Sequence, residues 1–508
     1  QASCQILNGL SAQDTSPCRS SWFAGGIADR GVCRDARSEP AAGSTLDCLG
    51  TVTEPPPRNK KLMKLLNKTD FRMWRSCPQK LPYHLQCMPT KDGESAFQRF
   101  LAEEGVRVGR CARRLFRSGV LITQTNPHAA WHATRAMLNS EKDTVIIFEG
   151  CLIGDGFLAR PDILTYRPGE LWMIEAKSLS DRALDSKNGQ DSLITHYGTI
   201  RARYREALDD LAFQAMVASV VFPEAEIHCR LLLPSAAKVV SPEESAFASS
   251  GNEVADGCST DDCVRRRQGS VLRFVDADEA IALLRRDVAS AAEAMREAVR
   301  SNLYPKVKLR YACRNCEFRT GRPDDGFHQC WGKLAEPEPH LFALHQLYAL
   351  KSSKGLVADD LIAEGKTALS DVGEHHLHGE FVERQRRQLT VHRAGADWVS
   401  PEMAQRIQSL EWPIRFLDFE TFFGAIPVFP GLRPHELMPI QWSCHTLHED
   451  GTLEHDEWLA STAAPPHAEF VRSLSKTLQD AGSILIYTDY ELRVLRDCGV
   501  TLRRFGYA

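Results

Sequence analysis

The sequence predicts an α/β protein, and three stretches carry that prediction. Between Val145 and Glu175, β-branched and aromatic runs alternate with turn signals, which is typical of short consecutive strands. A helical pattern then spans Arg201 to Val220, and Ile227 to Leu233 is again a strand-like apolar run. Strands, one long helix and a further strand in this order indicate layers of sheet and helix around one core.

The composition is that of an ordinary globular protein. Of the 508 residues, 43% are hydrophobic and 25% are charged, which excludes a mostly disordered or collagen-like chain. Lys and Arg number 62 against 66 Asp and Glu, so the net charge of −4 neither indicates nor excludes a nucleic-acid partner. The sequence shows neither a transmembrane-length apolar run nor a basic-then-apolar leader, so we expect a cytoplasmic protein without a membrane partner.

We expect four segments along the chain. The first is rich in Gly, Ser, Ala, Asp and Arg without apolar periodicity, so it is predicted to be disordered or a non-native extension. A Ser-, Glu- and Asp-rich stretch inside the first folded domain is predicted to be a mobile insertion. The predicted boundaries are 1–62 for the first segment, 63–334 for the first folded domain with its insertion at 235–270, 335–412 for a helical connector, and 413–508 for a second α/β domain.

Two carboxylates and a lysine lie on neighbouring predicted strands. Asp162 begins one strand, and Glu175 and Lys177 are two positions apart on the next, so the last two side chains point to one face. Paired carboxylates form a hard oxygen site suited to Mg²⁺ or Mn²⁺, which can activate a bound water and stabilise charge on a phosphate. The alternative is an exposed Asp beside a strand-edge Glu–Lys pair with no catalytic role.

The order Pro161-Asp162…Glu175-x-Lys177 resembles the PD-(D/E)xK nuclease superfamily. The resemblance implies a restriction-endonuclease-like core in which Asp162 and Glu175 bind the divalent metal and Lys177 positions the attacking water. RecB-like members carry a glutamine in the helix after these strands, near the DNA. Gln214 matches that position, and the resemblance implies that it contacts the substrate.

Further residues could complete this site. Arg201, Arg203 and Arg205 form a basic stretch suited to phosphate contacts. An upstream acid often completes sites of this superfamily. The sequence leaves three candidates open, namely Glu103, Glu104 and Glu149.

Sixteen cysteines in a chain expected in a reducing compartment indicate metal or cluster ligation rather than disulfides. Cys313 and Cys316 form a CxxC, which places two sulfurs on one turn, and Cys330 follows. Cys77, in a Cys-Pro context, resembles the N-terminal ligand of the iron–sulfur RecB-like nucleases, which include CRISPR-associated exonucleases. The resemblance implies that these four cysteines hold a [4Fe–4S] cluster. The long gap before Cys330 leaves Zn²⁺ open as the occupant, with His328 as an alternative ligand.

Asp418 and Glu420 lie on one face of a predicted strand that opens the C-terminal domain. This Asp-x-Glu resembles the DEDD exonucleases of the RNase H-like fold, in which such acids bind two metal ions. Glu491, or with less support Asp489, would supply the next acid. A fourth acid is required and only Asp497 follows, so we expect a partial, truncated RNase H-like domain. The alternative is a polar strand face.

The run from Phe416 to His445 closely resembles the bacterial domain-of-unknown-function 2779 family, and Lys68 to Trp331 fits the nuclease-like half of that family's members. These resemblances together predict a metal-dependent nuclease that hydrolyses phosphodiester bonds of DNA and contains a stabilising [4Fe–4S] cluster. No nucleotide-binding Gly-Lys-Ser/Thr loop is found, so a helicase or other DNA-repair protein would be a partner. Two alternatives stay open: a catalytically inactive nucleic-acid-binding protein, and a 3′ exonuclease that acts through the C-terminal domain only.

Overall fold

The computed structural model describes residues 64–91, 96–116, 118–140, 143–184, 192–249, 270–461, 464–478 and 482–507. The prediction for residues 1–62 therefore lies outside the described residues. Helices and several sheets, the largest of six strands, build the described part, which confirms the predicted α/β class. Within these ranges, no helix is both long enough and apolar enough to cross a membrane.

The helices alternate with the strands along most of the chain. They are α1 (Lys68–Ser76), α2 (Lys80–Leu85), α3 (Ala96–Arg114), α4 (Pro127–Leu138), α5 (Arg205–Val221), α6 (Pro242–Ser249), α7 (Asp278–Ser301), α8 (Gly326–Trp331), α9 (Val357–Ala363), α10 (Val382–Ala394), α11 (Met403–Gln408), α12 (His467–Leu478) and α13 (Tyr490–Arg504).

The strands are mostly short. They are β1 (Leu66–Asn67), β2 (Val120–Leu121), β3 (Val145–Phe148), β4 (Leu152–Gly154), β5 (Phe157–Ala159), β6 (Ile163–Arg167), β7 (Glu170–Ala176), β8 (Glu226–Pro234), β9 (Leu272–Asp276), β10 (Lys351–Ser352), β11 (Gly355–Leu356), β12 (Ile414–Phe422), β13 (Met438–Leu447), β14 (Leu453–Leu459) and β15 (Ser483–Leu485).

The six-stranded sheet has the order β2-β3-β6-β7-β8-β9. β3, β6 and β7 form an antiparallel meander, and β8 then pairs in parallel with β7. Two parallel neighbours need a crossover connection, which α5 provides. The strands and the long helix predicted between Val145 and Leu233 are therefore confirmed as β3 to β8 with α5 between the last two.

The helix α5 is buried on most of its surface. Its Phe213 stacks on Phe71 of α1, with ring centroids 4.8 Å apart, and meets Phe157 of β5 edge-on. One cluster of buried side chains joins α1, α5 and α7 to one face of the large sheet. Because residues four apart share a helix face, Asp210 and Gln214 are both held towards the end of β7 by this packing.

The other face of the large sheet is covered by α3 and by residues that follow β12. Ile163 and Ile174 of the sheet share a buried cluster with Val108 of α3 and with Ala425 and Ile426. The C-terminal domain therefore contributes side chains to the core of the first domain.

The described start of the predicted insertion, 235–249, is bonded to the same C-terminal segment. The Val240 N–H donates to the Leu432 carbonyl over 3.0 Å, and the Gly431 N–H donates to the Val240 carbonyl over 2.8 Å. Helix α6 follows directly. Residues 250–269 of the insertion lie outside the described ranges.

The predicted connector, 335–412, has a hydrophobic core of its own. It consists of short helices and 3₁₀ turns around buried residues such as Leu341 and Leu361. Phe327 and Trp331 of α8 belong to the same cluster, and Cys313 and Cys330 pack against it. The connector therefore supports the segment that carries the predicted cysteine ligands.

The C-terminal domain is built on a four-stranded sheet with the order β14-β13-β12-β15. β13 is antiparallel to both β12 and β14, and β15 is parallel to β12. Leu417 and Phe419 of β12 point into a core with Phe470 of α12. The alternate residues Asp418 and Glu420 are consequently exposed on the opposite side, as the sequence predicted.

Candidate functional site

The register of β6 and β7 brings Asp162 and Glu175 together. Ile163 pairs with Ile174, so Asp162, one residue before β6, stands opposite Glu175 on the same side of the sheet. The Asp162 Oδ2 also accepts a hydrogen bond of 2.7 Å from the backbone N–H of Ala176. The two carboxylates therefore converge beneath α5, at the point where β7 ends.

Glu175 is almost completely buried, and both of its carboxylate oxygens are bonded. Its Oε1 lies 2.6 Å from Lys68 Nζ and 2.9 Å from Lys177 Nζ. Its Oε2 accepts a hydrogen bond of 2.8 Å from Gln214 Nε2. Burial acts to raise the pKa of Glu175, but the Lys177 and Lys68 ammonium groups outweigh it and lower the pKa to about 2. This carboxylate is therefore charged at neutral pH.

Lys177 bridges two buried carboxylates. Its Nζ lies 2.8 Å from Asp210 Oδ2 in addition to its contact with Glu175. Burial acts to lower the pKa of Lys177, but Glu175 and Asp210 together raise it above the ordinary value. The other oxygen of Asp210, Oδ1, is buried and has no hydrogen-bond partner among the described residues. Lys177 is thus a permanent cation held in one position.

The pKa of Asp162 is shifted in the opposite direction to the pKa of Glu175. Burial raises its pKa first, and the neighbouring Glu175 charge raises it further, to about 7, against the effect of Lys68. Two carboxylates this close favour a bound cation, because a cation relieves their mutual repulsion. Mg²⁺ is often held by one or two protein carboxylates together with substrate phosphates, so the pair fits such an ion.

No group of three or more His, Cys, Asp or Glu side chains in the described ranges is arranged to hold a metal ion. A site of two carboxylates does not require a group of three.

Gln214 differs from its expected role. The side chain is 0% exposed, and its amide donates to Glu175 rather than pointing towards a substrate. A side chain without exposed surface cannot touch a substrate in this conformation. Gln214 therefore positions Glu175 in this structure, and its expected contact with a substrate stays a prediction.

Of the three candidate upstream acids, Glu149 is the one that lies beside Asp162. Its backbone N–H donates to the Asp162 carbonyl over 3.1 Å, and its charge contributes to the raised pKa of Asp162. Glu104 faces the other side of the sheet, where its Oε2 accepts from the Ala425 N–H at 2.6 Å. Glu103 is exposed on α3.

Sequence reasoning missed Lys68 and Asp210. Lys68 is the first residue of α1, whose start is fixed by a capping box in which Asn67 accepts from the Asp70 N–H and Asp70 accepts from the Asn67 N–H. The cap was visible in the sequence, but the direction of the Lys68 side chain was not. Asp210 could have been found, because it precedes Gln214 by one helical turn.

The three arginines of the predicted basic stretch differ in their contacts. Arg201 Nε donates to the Ser192 carbonyl over 2.8 Å, and Arg205 pairs with Asp209 and Asp287. Arg203 is exposed and has no ion pair with any described residue.

The four predicted cysteine ligands lie on three separate segments. Cys77 ends α1, Cys313 and Cys316 lie in and just after the 3₁₀ turn Tyr311–Asn315, and Cys330 is in α8. All four are partly buried. The fold therefore brings the segment before the large sheet close to the segment after it.

Two of these thiols have raised pKa values, and in this conformation the four do not form a group that is arranged to hold a metal ion. Burial raises the pKa of Cys330, and nearby Cys77 and Cys313 raise it further. Burial likewise raises the pKa of Cys316 to about 11, opposed by a hydrogen bond from the Phe318 backbone N–H and reinforced by Cys313. Each thiol in this set with a raised pKa must lose a proton before it can bind a metal or cluster.

Two other side chains adjoin the cysteines. The Tyr83 hydroxyl lies 3.3 Å from Cys330 Sγ. His328, the alternative ligand, has its Nδ1 2.8 Å from Asp325 Oδ1, and Asp325 also caps α8. His328 is thus engaged in the cap of its own helix rather than with the thiols.

The acids of the C-terminal sheet are brought together in part. Asp418 and Glu420 are exposed on β12, whereas Glu491 at the start of α13 is buried with Oε2 lacking a partner among the described residues. Burial raises the pKa of Glu491, and Asp418 and Asp489 raise it further. Glu491 is therefore a buried acid whose pKa is raised by its surroundings, and Asp418 is one of the charges that act on it.

Comparison with known proteins finds a similarity in this last domain. The model of the family described as domain of unknown function DUF2779 matches residues 415–505. These residues are similar to DUF2779. No curated protein and no solved structure matches the chain. The predicted resemblance is confirmed for this segment, which includes β12 to β15, α12 and α13, and the nuclease and iron–sulfur resemblances stay predictions.

The DUF2779 segment reaches the large sheet through the residues between β12 and β13. Besides the bond from Ala425 to Glu104, the Arg107 guanidinium donates to the Ile426 carbonyl over 3.3 Å. The Ser245 hydroxyl donates to the Val428 carbonyl over 3.0 Å. This connection is therefore bonded to α3 and α6 of the first domain.

Proposed function

We propose that the chain is a metal-dependent nuclease that hydrolyses phosphodiester bonds of DNA at the Asp162–Glu175 site. The observation that carries the proposal is the convergence of these two carboxylates with Lys177 where β7 ends. The sheet supports it, because an antiparallel meander followed by a helix and a parallel strand is the arrangement expected of a PD-(D/E)xK core. Ligand sites in such sheets tend to lie beyond the carboxyl ends of parallel strands.

The charge of each residue in the site indicates its role. Asp162 and Glu175 would hold Mg²⁺ or Mn²⁺, which when bound supplies an activated water and stabilises negative charge on a phosphate. Lys177 keeps its proton at neutral pH, so it is suited to orienting that water or neutralising developing charge and not to accepting a proton. Asp210 holds Lys177, and Gln214 holds Glu175, so both act as positioning residues.

Replacing Lys177 tests this assignment. Lys177→Ala should reduce Mg²⁺-dependent cleavage of a labelled DNA oligonucleotide by about 10²-fold or more, the size expected when a charge-stabilising group is lost. Lys366→Ala, which removes an exposed lysine paired with Glu364, should leave cleavage unchanged. Equal cleavage by native protein and Lys177→Ala would contradict the proposal.

A second variant distinguishes the loss of a site residue from misfolding. Lys177→Ala removes the nearer of the two cationic partners of Asp210 and leaves only Arg72, at 3.7 Å, so its folding must be checked by thermal melting. Asp162→Asn removes a metal ligand without breaking an ion pair, and it should abolish cleavage in a folded protein. Retained cleavage in this variant would also contradict the site.

We also propose that Cys77, Cys313, Cys316 and Cys330 hold a [4Fe–4S] cluster, with Zn²⁺ as the alternative occupant. Contacts between the segments that carry them support the proposal, because the Lys91 N–H donates to the Glu317 carbonyl over 2.8 Å and the Tyr83 hydroxyl lies 3.3 Å from Cys330 Sγ. Binding would require the four sulfurs to move closer together, since they are not arranged as a metal site in this structure. When bound, such a group would cross-link α1 to the segment after the large sheet. Since α1 also carries Lys68, the cross-link would stabilise the position of a residue that contacts Glu175.

A second candidate function places hydrolysis in the DUF2779 segment. The specific observations are the exposed face of β12 that Asp418 and Glu420 share, and the buried Oε2 of Glu491, which has no hydrogen-bond partner among the described residues. If this domain acts alone as a 3′ exonuclease, Asp418→Asn should abolish cleavage that Lys177→Ala retains. Binding of DNA without cleavage in either Mg²⁺ or Mn²⁺ would instead indicate an inactive nucleic-acid-binding protein.

A further inference from the structure

The segment between β7 and α5 contains a tight hairpin with a two-residue tip. Ile194 and Ile200 pair as an antiparallel bridge. Inside this bridge, the Thr195 N–H donates to the Thr199 carbonyl over 2.7 Å, and the Gly198 N–H donates to the Thr195 carbonyl over 2.9 Å. The second bond closes a β-turn, and Gly198 at its last position has the positive φ of 75°. Backbone bonds therefore hold the tip of the hairpin in one conformation.

Both residues of the tip carry exposed rings. His196 is exposed, and Tyr197 is 81% exposed. The centroids of the two rings are 3.7 Å apart. A single exposed ring is common on protein surfaces, whereas two adjoining rings on a closed turn form a larger aromatic surface. Nucleobases stack on such side chains, and the stacking tolerates any base because every base has a π-face.

Two arginines follow the tip without an acid to neutralise them. The Arg201 N–H donates to the Leu193 carbonyl over 2.9 Å, and its Nε donates to the Ser192 carbonyl over 2.8 Å, so Arg201 is bound to the base of the hairpin. Arg203 is exposed. Neither arginine forms an ion pair with a described residue, and residues 192–204 contain no Asp or Glu. The hairpin thus combines positive charge with aromatic rings, which complements the phosphates and bases of a nucleic acid.

The hairpin leads directly into the elements that hold the proposed site. The Tyr204 hydroxyl donates to the Ser180 carbonyl over 2.9 Å in a buried contact. Ser180 follows Lys177 by three residues, so their Cα atoms are separated by at most about 11 Å. Tyr204 immediately precedes α5, whose Asp210 contacts Lys177. The base of the hairpin is therefore fixed close to the point where β7 ends.

We propose that His196 and Tyr197 form a stacking platform for unpaired bases of a nucleic-acid strand, and that Arg201 and Arg203 bind its phosphates. Inside a duplex the faces of the bases are covered by their neighbours, so rings at a hairpin tip reach only unpaired bases or a duplex end. The path of the strand from the platform to the carboxylate pair rests on the proposed function, whereas the platform itself does not.

Binding in the absence of cleavage tests the platform. The full-length protein in EDTA is titrated into fluorescein-labelled oligo(dT), oligo(rU) and a DNA strand of the same length in which every site is abasic. Tyr197→Ala should weaken binding to both base-containing strands about tenfold, the size expected when one base loses its aromatic partner. Tyr197→Phe should keep the native affinity. Native protein and Tyr197→Ala should bind the abasic strand equally, which a general loss of folding would not produce.

Tyr348→Ala is the matched control, because Tyr348 is a 50% exposed tyrosine of the connector, and this variant should bind all three strands like native protein. The phosphate contacts have a separate measurement. Arg203→Ala should make the slope of log affinity against log salt shallower by about 0.7, the value for one contact to a single strand. Arg472→Ala, which removes an exposed arginine of α12, should leave the slope unchanged.

Equal binding of oligo(dT) by Tyr197→Ala and Tyr348→Ala would overturn the platform. A native protein that binds none of the strands would also overturn it and would leave another protein as the partner of the hairpin tip. Loss of base-dependent binding in Tyr197→Ala, without any cleavage by native protein in Mg²⁺, would keep the platform and reject the nuclease proposal. Cleavage by native protein together with equal binding by the two variants would do the reverse.

Discussion

The Lys68 ammonium lies 2.6 Å from Oε1 of Glu175, although 107 positions separate the two residues in the chain. Lys68 is only a quarter exposed, and Glu175 is 1% exposed. Lys177 binds the same carboxylate oxygen. Two lysines thus contact Oε1 of Glu175, so at the proposed metal site Lys68 would compete with the ion for this oxygen.

Replacing Lys68 by methionine should therefore tighten metal binding. We expect the Mn²⁺ dissociation constant of the protein without substrate to fall about tenfold, which corresponds to 1.4 kcal/mol. Isothermal titration calorimetry measures this constant directly. Lys64→Met is the control, because Lys64 pairs with Asp70 and does not contact Glu175. Weaker Mn²⁺ binding by Lys68→Met than by the control would show that Lys68 supports the ion and does not compete with it.

The metal-free protein should lose stability as pH rises. Burial and the Glu175 charge raise the pKa of Asp162 from 3.8 to about 7, so between these values the folded protein keeps a proton that the unfolded chain has released. Stability therefore falls as pH increases across that window. In EDTA at about pH 8, Asp162→Asn should melt at a higher temperature than native protein. The difference corresponds to a few kcal/mol in the free energy of unfolding.

The pH dependence of the melting difference provides the control for this prediction. The gap between the two melting temperatures should shrink as pH falls below 3.8, where Asp162 becomes protonated in both states. Mg²⁺ should then stabilise the native protein at about pH 8 and leave Asp162→Asn unchanged. A melting gap that does not vary with pH would contradict the raised pKa.

Serine substitution of a predicted cysteine ligand should remove bound metal. Cys77→Ser or Cys330→Ser, purified without oxygen, should lose iron and sulfide relative to native protein and should melt at a lower temperature. Cys87→Ser is the control, because Cys87 is exposed and outside the group. Iron with sulfide in native protein indicates the cluster, and zinc alone indicates the alternative occupant. Equal metal content in Cys77→Ser and Cys87→Ser would contradict the ligand set.

Glu104 should prove structural. Its carboxylate accepts from the Ala425 N–H and from Arg107, so Glu104→Ala leaves a buried N–H unpaired and should destabilise the protein by about 2–3 kcal/mol. Glu103→Ala, one position earlier and exposed, should have no measurable effect. Urea unfolding of both variants provides the comparison. Equal unfolding midpoints would mean that the contact between α3 and the DUF2779 segment adds no stability.

The strand pattern of the sequence was sufficient to place Glu175 and Lys177 on one face, because side chains alternate with a period of two along any strand. It also predicted Asp418 and Glu420 on one face of a strand by the same rule, and the packing of Leu417 and Phe419 into the core made that face the exposed one. The convergence of Asp162 with Glu175 was a hypothesis at that stage, since it depends on the register between β6 and β7, which no local pattern defines.

Roles that depend on contacts between distant segments could not be predicted from the strand or helix pattern. Glu104 and Glu149 were equal candidates in sequence, and packing against opposite faces of the sheet separated them. Gln214 was expected to face substrate, and the burial of α5 turned it onto Glu175 instead. Periodicity reports how a residue is oriented within its own helix or strand, whereas the partner across the gap is decided by how whole elements pack. Lys68 reaches the end of β7 from about 110 residues before it, so only the folded chain could bring it there.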